Sequence, residues 1–156
     1  MDIEIVHNDI EGMRAALAEA KKAFAIHEVP IGAVICDGGG RIIARGYNLR
    51  ETQYDATAHA EVVAVRQACQ KVRNWRLSGM TIYVTVEPCP MCAGALFMSR
   101  ISRLVYGVPD WRAGACESMF NVVENPWLVY QMEVKSGVLE DECSSIMKQY
   151  FKRLRR

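Results

Sequence analysis

The stretch from Met80 to Tyr106 constrains the fold most, because it reads as strand, helix and strand with almost nothing between them. Met80 to Val86 alternates Thr and Tyr with Ile and Val, which suits a strand. It ends at Glu87-Pro88, and Pro88 fits the first position of a helix, where a missing N–H costs nothing. That helix is predicted to run to about Ser99, and Ile101 to Tyr106 forms a second strand. Two strands that each feed a helix are predicted to be parallel neighbours, with the functional site at their carboxyl ends, where helix N-termini converge.

The flanking chain extends this unit. Asn8 with Glu11 three residues on resembles a capping box, and Ile10, Met13, Leu17, Ala20 and Phe24 follow at helical spacing. After Pro30, Ile31 to Cys36 and Arg41 to Tyr47 form a hairpin about Asp37-Gly38-Gly39-Gly40. Asn48 to Thr57 is polar and aperiodic, hence a loop. A helix starts near Ala58 with Val62, Val65, Cys69 and Val72 inward. Beyond Tyr106 the sequence predicts a loop over Gly107 to Ser118, a short helix, a strand around Met132 to Lys135 and a last helix from about Glu140. The alternation predicts an α/β fold, a three-layer α-β-α sandwich around one mixed, mostly five-stranded sheet. The 156 residues fit one domain, residues 1–156.

Bulk composition narrows the class further. With 51% hydrophobic and 24% charged residues the chain is globular rather than disordered, and a net charge of +1 says little about partners. The basic end, Lys152-Arg153-Leu154-Arg155-Arg156, suits either phosphate contacts or the solvated end of a helix. No apolar run approaches the ~20 residues that cross a bilayer, so no membrane partner is expected. The N-terminal MDIEIVHND lacks the basic and apolar regions of a secretory signal, so a cytoplasmic location is expected. Six cysteines in a reducing compartment are metal ligands or core residues rather than a disulfide framework. Cys36, Cys69, Cys116 and Cys143 read as core, and His7 and His27 have no ligand partners at useful spacing.

Two short stretches carry the chemistry: His59-Ala60-Glu61, and Pro88-Cys89-Pro90-Met91-Cys92. Cys89 and Cys92 lie three apart at a helix start, so both sulfurs face one side of its first turn. The helix N-terminus there favours the thiolates that bind metal. One imidazole and two thiolates are three ligands for Zn2+, one ion per chain, leaving a fourth position for water as in catalytic sites. Glu61 sits two residues after His59, where it is free of the metal but within reach of its water, placed to move protons. A CxxC alone also fits a redox motif or half of a structural zinc site. Neither explains the His-x-Glu upstream.

This His-x-Glu … Pro-Cys-x-x-Cys pattern matches the zinc deaminase signature, from which the roles of the four residues are taken. The chain resembles the cytidine/deoxycytidylate deaminase superfamily, and within it the bacterial tRNA-specific adenosine deaminases. The resemblance runs through Glu28-Val29-Pro30-Ile31-Gly32-Ala33-Val34, Gly46-Tyr47-Asn48, Thr57-Ala58-His59-Ala60-Glu61 and Thr85-Val86-Glu87-Pro88-Cys89-Pro90-Met91-Cys92-Ala93-Gly94-Ala95. It continues through Ser99-Arg100-Ile101, Gly114-Ala115, Gly137-Val138-Leu139 and Glu142-Cys143. It implies a cytidine deaminase-like fold, a homodimer, and adenosine-to-inosine conversion at the wobble position of a tRNA anticodon loop. It also implies that Ile31 packs on the base, Asn48 hydrogen-bonds it, and Ala60 and the turn at Pro88 offer backbone groups to it. By the same likeness Asp110, Trp111 and Arg112 line a nucleic-acid groove. Tyr150, Phe151, Lys152 and Arg153 interleave rings and cations as single-strand binders do, although at this helical spacing one ring belongs to the core.

Two departures stand out. The family's Gly-Ala-x-Gly-Ser turn reads Gly114-Ala115-Cys116-Glu117-Ser118 here, which sets an acid where RNA is expected. Its Asn-His pair before the last strand is Val129-Tyr130. A deaminase of a free purine or nucleoside, such as guanine deaminase, and a non-catalytic zinc-stabilised binding module are the alternatives.

Overall fold

The computed structural model describes residues 2–124 and 128–155. Its elements run α1 (Asp9–Ala25), β1 (Gly32–Cys36), β2 (Ile42–Tyr47), α2 (Arg50–Gln53), α3 (Ala60–Val72), β3 (Thr81–Val86), α4 (Pro90–Met98), β4 (Arg103–Val108), β5 (Glu133–Lys135) and α5 (Glu140–Leu154). The strands form one five-stranded sheet in the order β2-β1-β3-β4-β5. β1 is antiparallel to both β2 and β3, whereas β3–β4 and β4–β5 are parallel. The sheet is therefore mixed, and its parallel half is the strand–helix–strand unit legible in the sequence.

Every residue of β1 is buried, because the strand is covered on both faces. Ala33 and Ile35 pack with Ala60, Ala64, Ala68, Ala93 and Leu96 of α3 and α4. Val34 and Cys36 point the other way, into a core with Met13, Ala16 and Leu17 of α1 and Cys143 of α5. The period-2 alternation of one strand thus feeds two cores, which makes the three layers. No helix among the described residues is long and apolar enough to cross a membrane.

Asn8 caps α1 as its sequence suggests, accepting from the Glu11 N–H at 2.9 Å, while the Glu11 carboxylate accepts from the His7 N–H at 2.8 Å. Elsewhere the structure corrects the sequence reading. The fully buried face of α3 is Ala60, Glu61, Ala64 and Ala68; of the four residues expected inward, Val65 and Cys69 pack at its margin, whereas Val72 is exposed. The reason is distance. α3 lies so close to β2 that a Cβ on Gly46 would come within 2.4 Å of the Ala60 carbonyl and 2.8 Å of the Ala64 nitrogen. Only alanine-sized side chains fit such a contact. Residues 50–53 form the short helix α2 inside the expected loop. Pro90, rather than Pro88, takes the first position of α4, with Cys89 as its N-cap. β4 starts later than expected and continues to Val108, which pairs with Val86. No helix forms among the described residues between α5 and Ser118; residues 125–127, within the stretch of the expected short helix, lie outside them.

Candidate active site

The two chemically marked stretches meet at the carboxyl end of β3. His59 is the N-cap of α3 and Cys89 the N-cap of α4, both in extended backbone (ψ 153° and 173°), so each side chain leaves its helix at the very start. Cys92, three residues on, returns to the same side and is fully buried. His59 Nδ1 lies 3.6 Å from Cys89 Sγ and 3.4 Å from Cys92 Sγ. All three donor atoms fall within 4.8 Å of one another. Zinc distances of ~2.05 Å to nitrogen and ~2.3 Å to sulfur, at tetrahedral angles, require an N···S separation of about 3.6 Å. The donor set and its spacing therefore fit zinc, with three protein ligands and one open direction.

Electrostatics agree with that use. The Cys92 thiol donates toward Cys89, and with His59 alongside holds the Cys89 thiol down at about 4 against the effect of burial. The same contact with Cys89, then burial, pushes Cys92 strongly up. The pair thus gives up its first proton readily and its second only to a cation that takes both sulfurs. Glu61, the second residue of α3, is buried beside them, and burial pushes its carboxyl up to about 6. A carboxyl of that affinity both accepts and returns a proton near neutral pH.

A cavity of about 270 Å3 opens on these residues, lined by Val29, Ile31, Asn48, Arg50, His59, Ala60, Glu61, Val86, Glu87, Cys89, Asp110, Ala113, Met147 and Phe151. Its size is near the lower end of the ~300–1,000 Å3 range of ligand pockets and suits one base rather than a longer ligand. Asn48 is buried; its amide donates to the Val29 carbonyl at 3.4 Å and its oxygen accepts from the Arg50 N–H at 3.2 Å. That leaves one amide N–H and one oxygen lone pair for a ligand. Ala60, at the first position of α3, has no intrahelical acceptor for its N–H. Pro88 does not line the cavity: it is buried and its carbonyl accepts from the Ala115 N–H at 2.9 Å.

A second cavity of about 540 Å3 shares Val86, Asp110, Met147 and Phe151 with the first, so the two form one continuous groove. Trp111 and Arg112 line it on one side, and Lys148 and Lys152 of α5 with its C-cap Arg155 on the other. Trp111 is 71% exposed. Arg153 is not part of this wall: its guanidinium lies 5.4 Å over the Phe24 ring of α1. Helix geometry explains the correction, since 148, 151, 152 and 155 share a face that 153 does not. Tyr150 is the core ring, edge-on to Phe24 and donating to the His27 carbonyl, while Phe151 faces the groove.

The structure also accounts for the two departures from the family pattern. Glu117 accepts a hydrogen bond at 2.8 Å from the hydroxyl of Tyr106, a ring that is 1% exposed. The acid thus answers a buried hydroxyl behind the groove. The Tyr130 hydroxyl donates to the carbonyls of Arg100 and Ile101, tying residues before β5 to the end of α4. Two further buried acids brace the site from behind. Glu28 accepts from the Thr52 N–H and hydroxyl at 2.6 and 2.8 Å, bracing the loop that bears Asn48. Glu87 faces burial that would raise its pKa, but donors from Ser118, Glu117 and Asp110 outweigh it and hold the carboxyl below the usual range. Neither carried a spacing signal, because both act on partners distant in sequence.

Fold and site together put the chain in one class, the enzymes that hydrolyse an exocyclic amine and release ammonia. Residues 7–155 match the family model described as MafB19-like deaminase. A tRNA-specific adenosine deaminase of Bacillus subtilis is 46% identical over 144 residues, covering 92% of this chain and 89% of its own. A structure solved in a study of A-to-I editing by tRNA:A34 deaminases at the wobble position is 44% identical, with a TM-score of 0.82 over 86% of this chain and 97% of its own. A guanine deaminase from Nitrosomonas europaea shares the fold, with a TM-score of 0.80 at 22% identity over 96% of this chain and 87% of its own. The chain belongs to the MafB19-like deaminases and, at this level of identity, to the tRNA-specific adenosine deaminases.

Proposed function

We propose that this protein converts adenosine to inosine at the wobble position of a tRNA anticodon loop, with one zinc ion held by His59, Cys89 and Cys92. The observation that carries this reading is the groove: a one-base cavity over the donor cluster opens into a longer channel bearing Trp111, Arg112, Lys148, Lys152 and Arg155. A single splayed-out base fits the first part, while neighbouring nucleotides rest on the ring and cations of the second.

Zinc held by His59, Cys89 and Cys92 would lower the pKa of a water from ~15.7 to ~7 and so would supply a nucleophile at neutral pH. Glu61 would take one proton from the attacking water and pass it to ring N1 as the C6–O bond forms, then take the remaining hydroxyl proton and deliver it to N6 as the C6–N6 bond breaks. Adenosine and water become inosine and ammonia, and the carboxylate ends as it began. Asn48 and the Ala60 N–H orient the base, Ile31 packs on its face, and the buried setting of Glu61 excludes bulk water.

The direct test is ammonia release from an anticodon stem-loop, free adenosine and guanine in parallel. The stem-loop is expected to be by far the best substrate; faster turnover of guanine or a free nucleoside would overturn the RNA reading. Replacing Lys148, Lys152 and Arg155 together is expected to flatten the log–log salt dependence of RNA binding by about 2, at ~0.7 per lost phosphate contact. An unchanged slope removes those three residues from the interface.

We also propose a homodimer built on α4. That helix carries no charged residue, yet Met91 and Met98 are exposed on its outer face. A helix apolar all round belongs in an interior, and a second copy would cover it. Met98→Glu is expected to shift a dimer to monomer in light scattering; a wild-type monomer ends this part of the reading. A tRNA substrate and six unpaired cysteines suit the cytoplasm.

A further inference from the structure

Glu87 stands between the end of β3 and the proline that precedes Cys89, and is 3% exposed. Its carboxylate accepts five hydrogen bonds, and all of them come from one segment, residues 110–118. Oε2 accepts the backbone N–H groups of Cys116, Glu117 and Ser118 at 3.1, 2.9 and 3.0 Å. Oε1 accepts the Asp110 N–H at 3.1 Å and the Ser118 hydroxyl. Three successive N–H groups on one oxygen make an anion-holding nest, and here the anion is the protein's own side chain. The wrapping is tight: a Cβ on Gly114 would come within 2.4 Å of Glu87 Cδ. The segment belongs to no helix or strand. The Ala115 N–H also donates to the Pro88 carbonyl at 2.9 Å, and Ala115 and Cys116 share a buried cluster with Ala93 and Leu96 of α4.

We propose that Glu87 is the positioning residue for the nucleic-acid wall. It moulds residues 110–118 so that Asp110, Trp111 and Arg112 stand at a fixed place relative to the Cys89 turn. The inference rests on the reading that a polynucleotide lies in the groove. It gives the two halves of the site one foundation: the chain that places a metal ligand also places, through a side chain two residues earlier, the surface that receives the RNA. Glutamine cannot substitute. Whichever way its amide is turned, an NH2 group replaces an oxygen and faces two or three donors.

The experiment compares wild type, Glu87→Gln and Glu87→Ala as zinc-loaded full chains. Both variants are expected to retain zinc and to exchange the amide hydrogens of 110 and 116–118 faster, with the rest of the chain protected as before. KM for an anticodon stem-loop is expected to rise ~10–100-fold, the scale of a misplaced binding surface, with kcat falling far less. Formate is small enough to enter the space left by Glu87→Ala. It is expected to restore KM and slow exchange, where chloride at equal ionic strength does neither. Unaltered exchange at 116–118, a loss confined to kcat, or a loss of zinc that accounts for the whole defect would each overturn the proposal. Should Glu87→Ala fail to fold, the nearly isosteric Glu87→Gln decides by the same readouts. A wild-type protein inactive on the stem-loop refutes the RNA reading instead. The exchange data then still decide whether Glu87 holds the segment.

Discussion

Glu61→Gln is expected to keep its zinc, its melting temperature and its affinity for the stem-loop while kcat falls by at least ~10²–10⁴-fold, the range for one general acid–base group. Glutamine fills the same buried volume in the first turn of α3, so the Ala60–Ala64–Ala68 contact with the sheet stays intact. What it loses is the ability to carry a proton. In the proposed mechanism four transfers pass through this side chain, two from oxygen, one to N1 and one to N6. The other carboxyls that line the cavity among the described residues are engaged elsewhere, Asp110 by the Arg112 and Ala113 N–H groups. Glu87 lines the same cavity, but five donors occupy its carboxylate. Activity within a factor of a few of wild type would remove Glu61 from the mechanism. A variant that loses zinc as well would show that its effect runs through the ligands.

Cys92→Ser is expected to lose both metal and stability. Cys92 is wholly buried where α4 meets α3, and its sulfur is 3.4 Å from His59 Nδ1. A ligand that binds only the folded chain stabilises it by ~4 kcal/mol at a thousandfold excess over its Kd. At ~2–4 °C per kcal/mol for a chain of this size, the wild type should melt about 8–16 °C above the variant. A chelator should lower the wild-type melting temperature toward that of Cys92→Ser and leave the variant where it was. Wild-type protein stripped of metal but fully active would contradict the whole mechanism.

Much of this was legible in the sequence because the informative signals were local. The strand from Met80 to Val86, the short gap at Glu87-Pro88 and the second strand fix a parallel pair, and the His59 and Cys89 stretches mark its carboxyl end. Contacts between distant segments were not legible. Valines advertise a core face more loudly than alanines, so the sequence points to Val65 and Cys69, which pack at the margin, and to Val72, which is exposed; the close approach of Gly46 selects Ala60, Ala64 and Ala68 for the centre. Arg153 and Arg155 look alike in a basic run. The angle between them on α5 sends one to Phe24 and the other to the groove. Glu87 sits in a motif whose cysteines draw the eye, while its five partners lie more than twenty residues downstream.

The contact at Gly46 acts as a machinist's datum. His59 immediately precedes α3, and the atom of α3 that comes nearest to a Cβ on Gly46 is the carbonyl of Ala60, the very next residue. Cys89 and Cys92 are referenced to β3, two strands away from β2 in the sheet. The spacing of the three donor atoms is therefore a stack-up of tolerances across three strands, and Gly46 sets the first of them. A methyl group there would lift the helix by a fraction of its diameter, yet that is enough to spoil separations of 3.4 and 3.6 Å. A side chain added on this edge strand would thus be felt at the donor cluster, one residue from the point of contact.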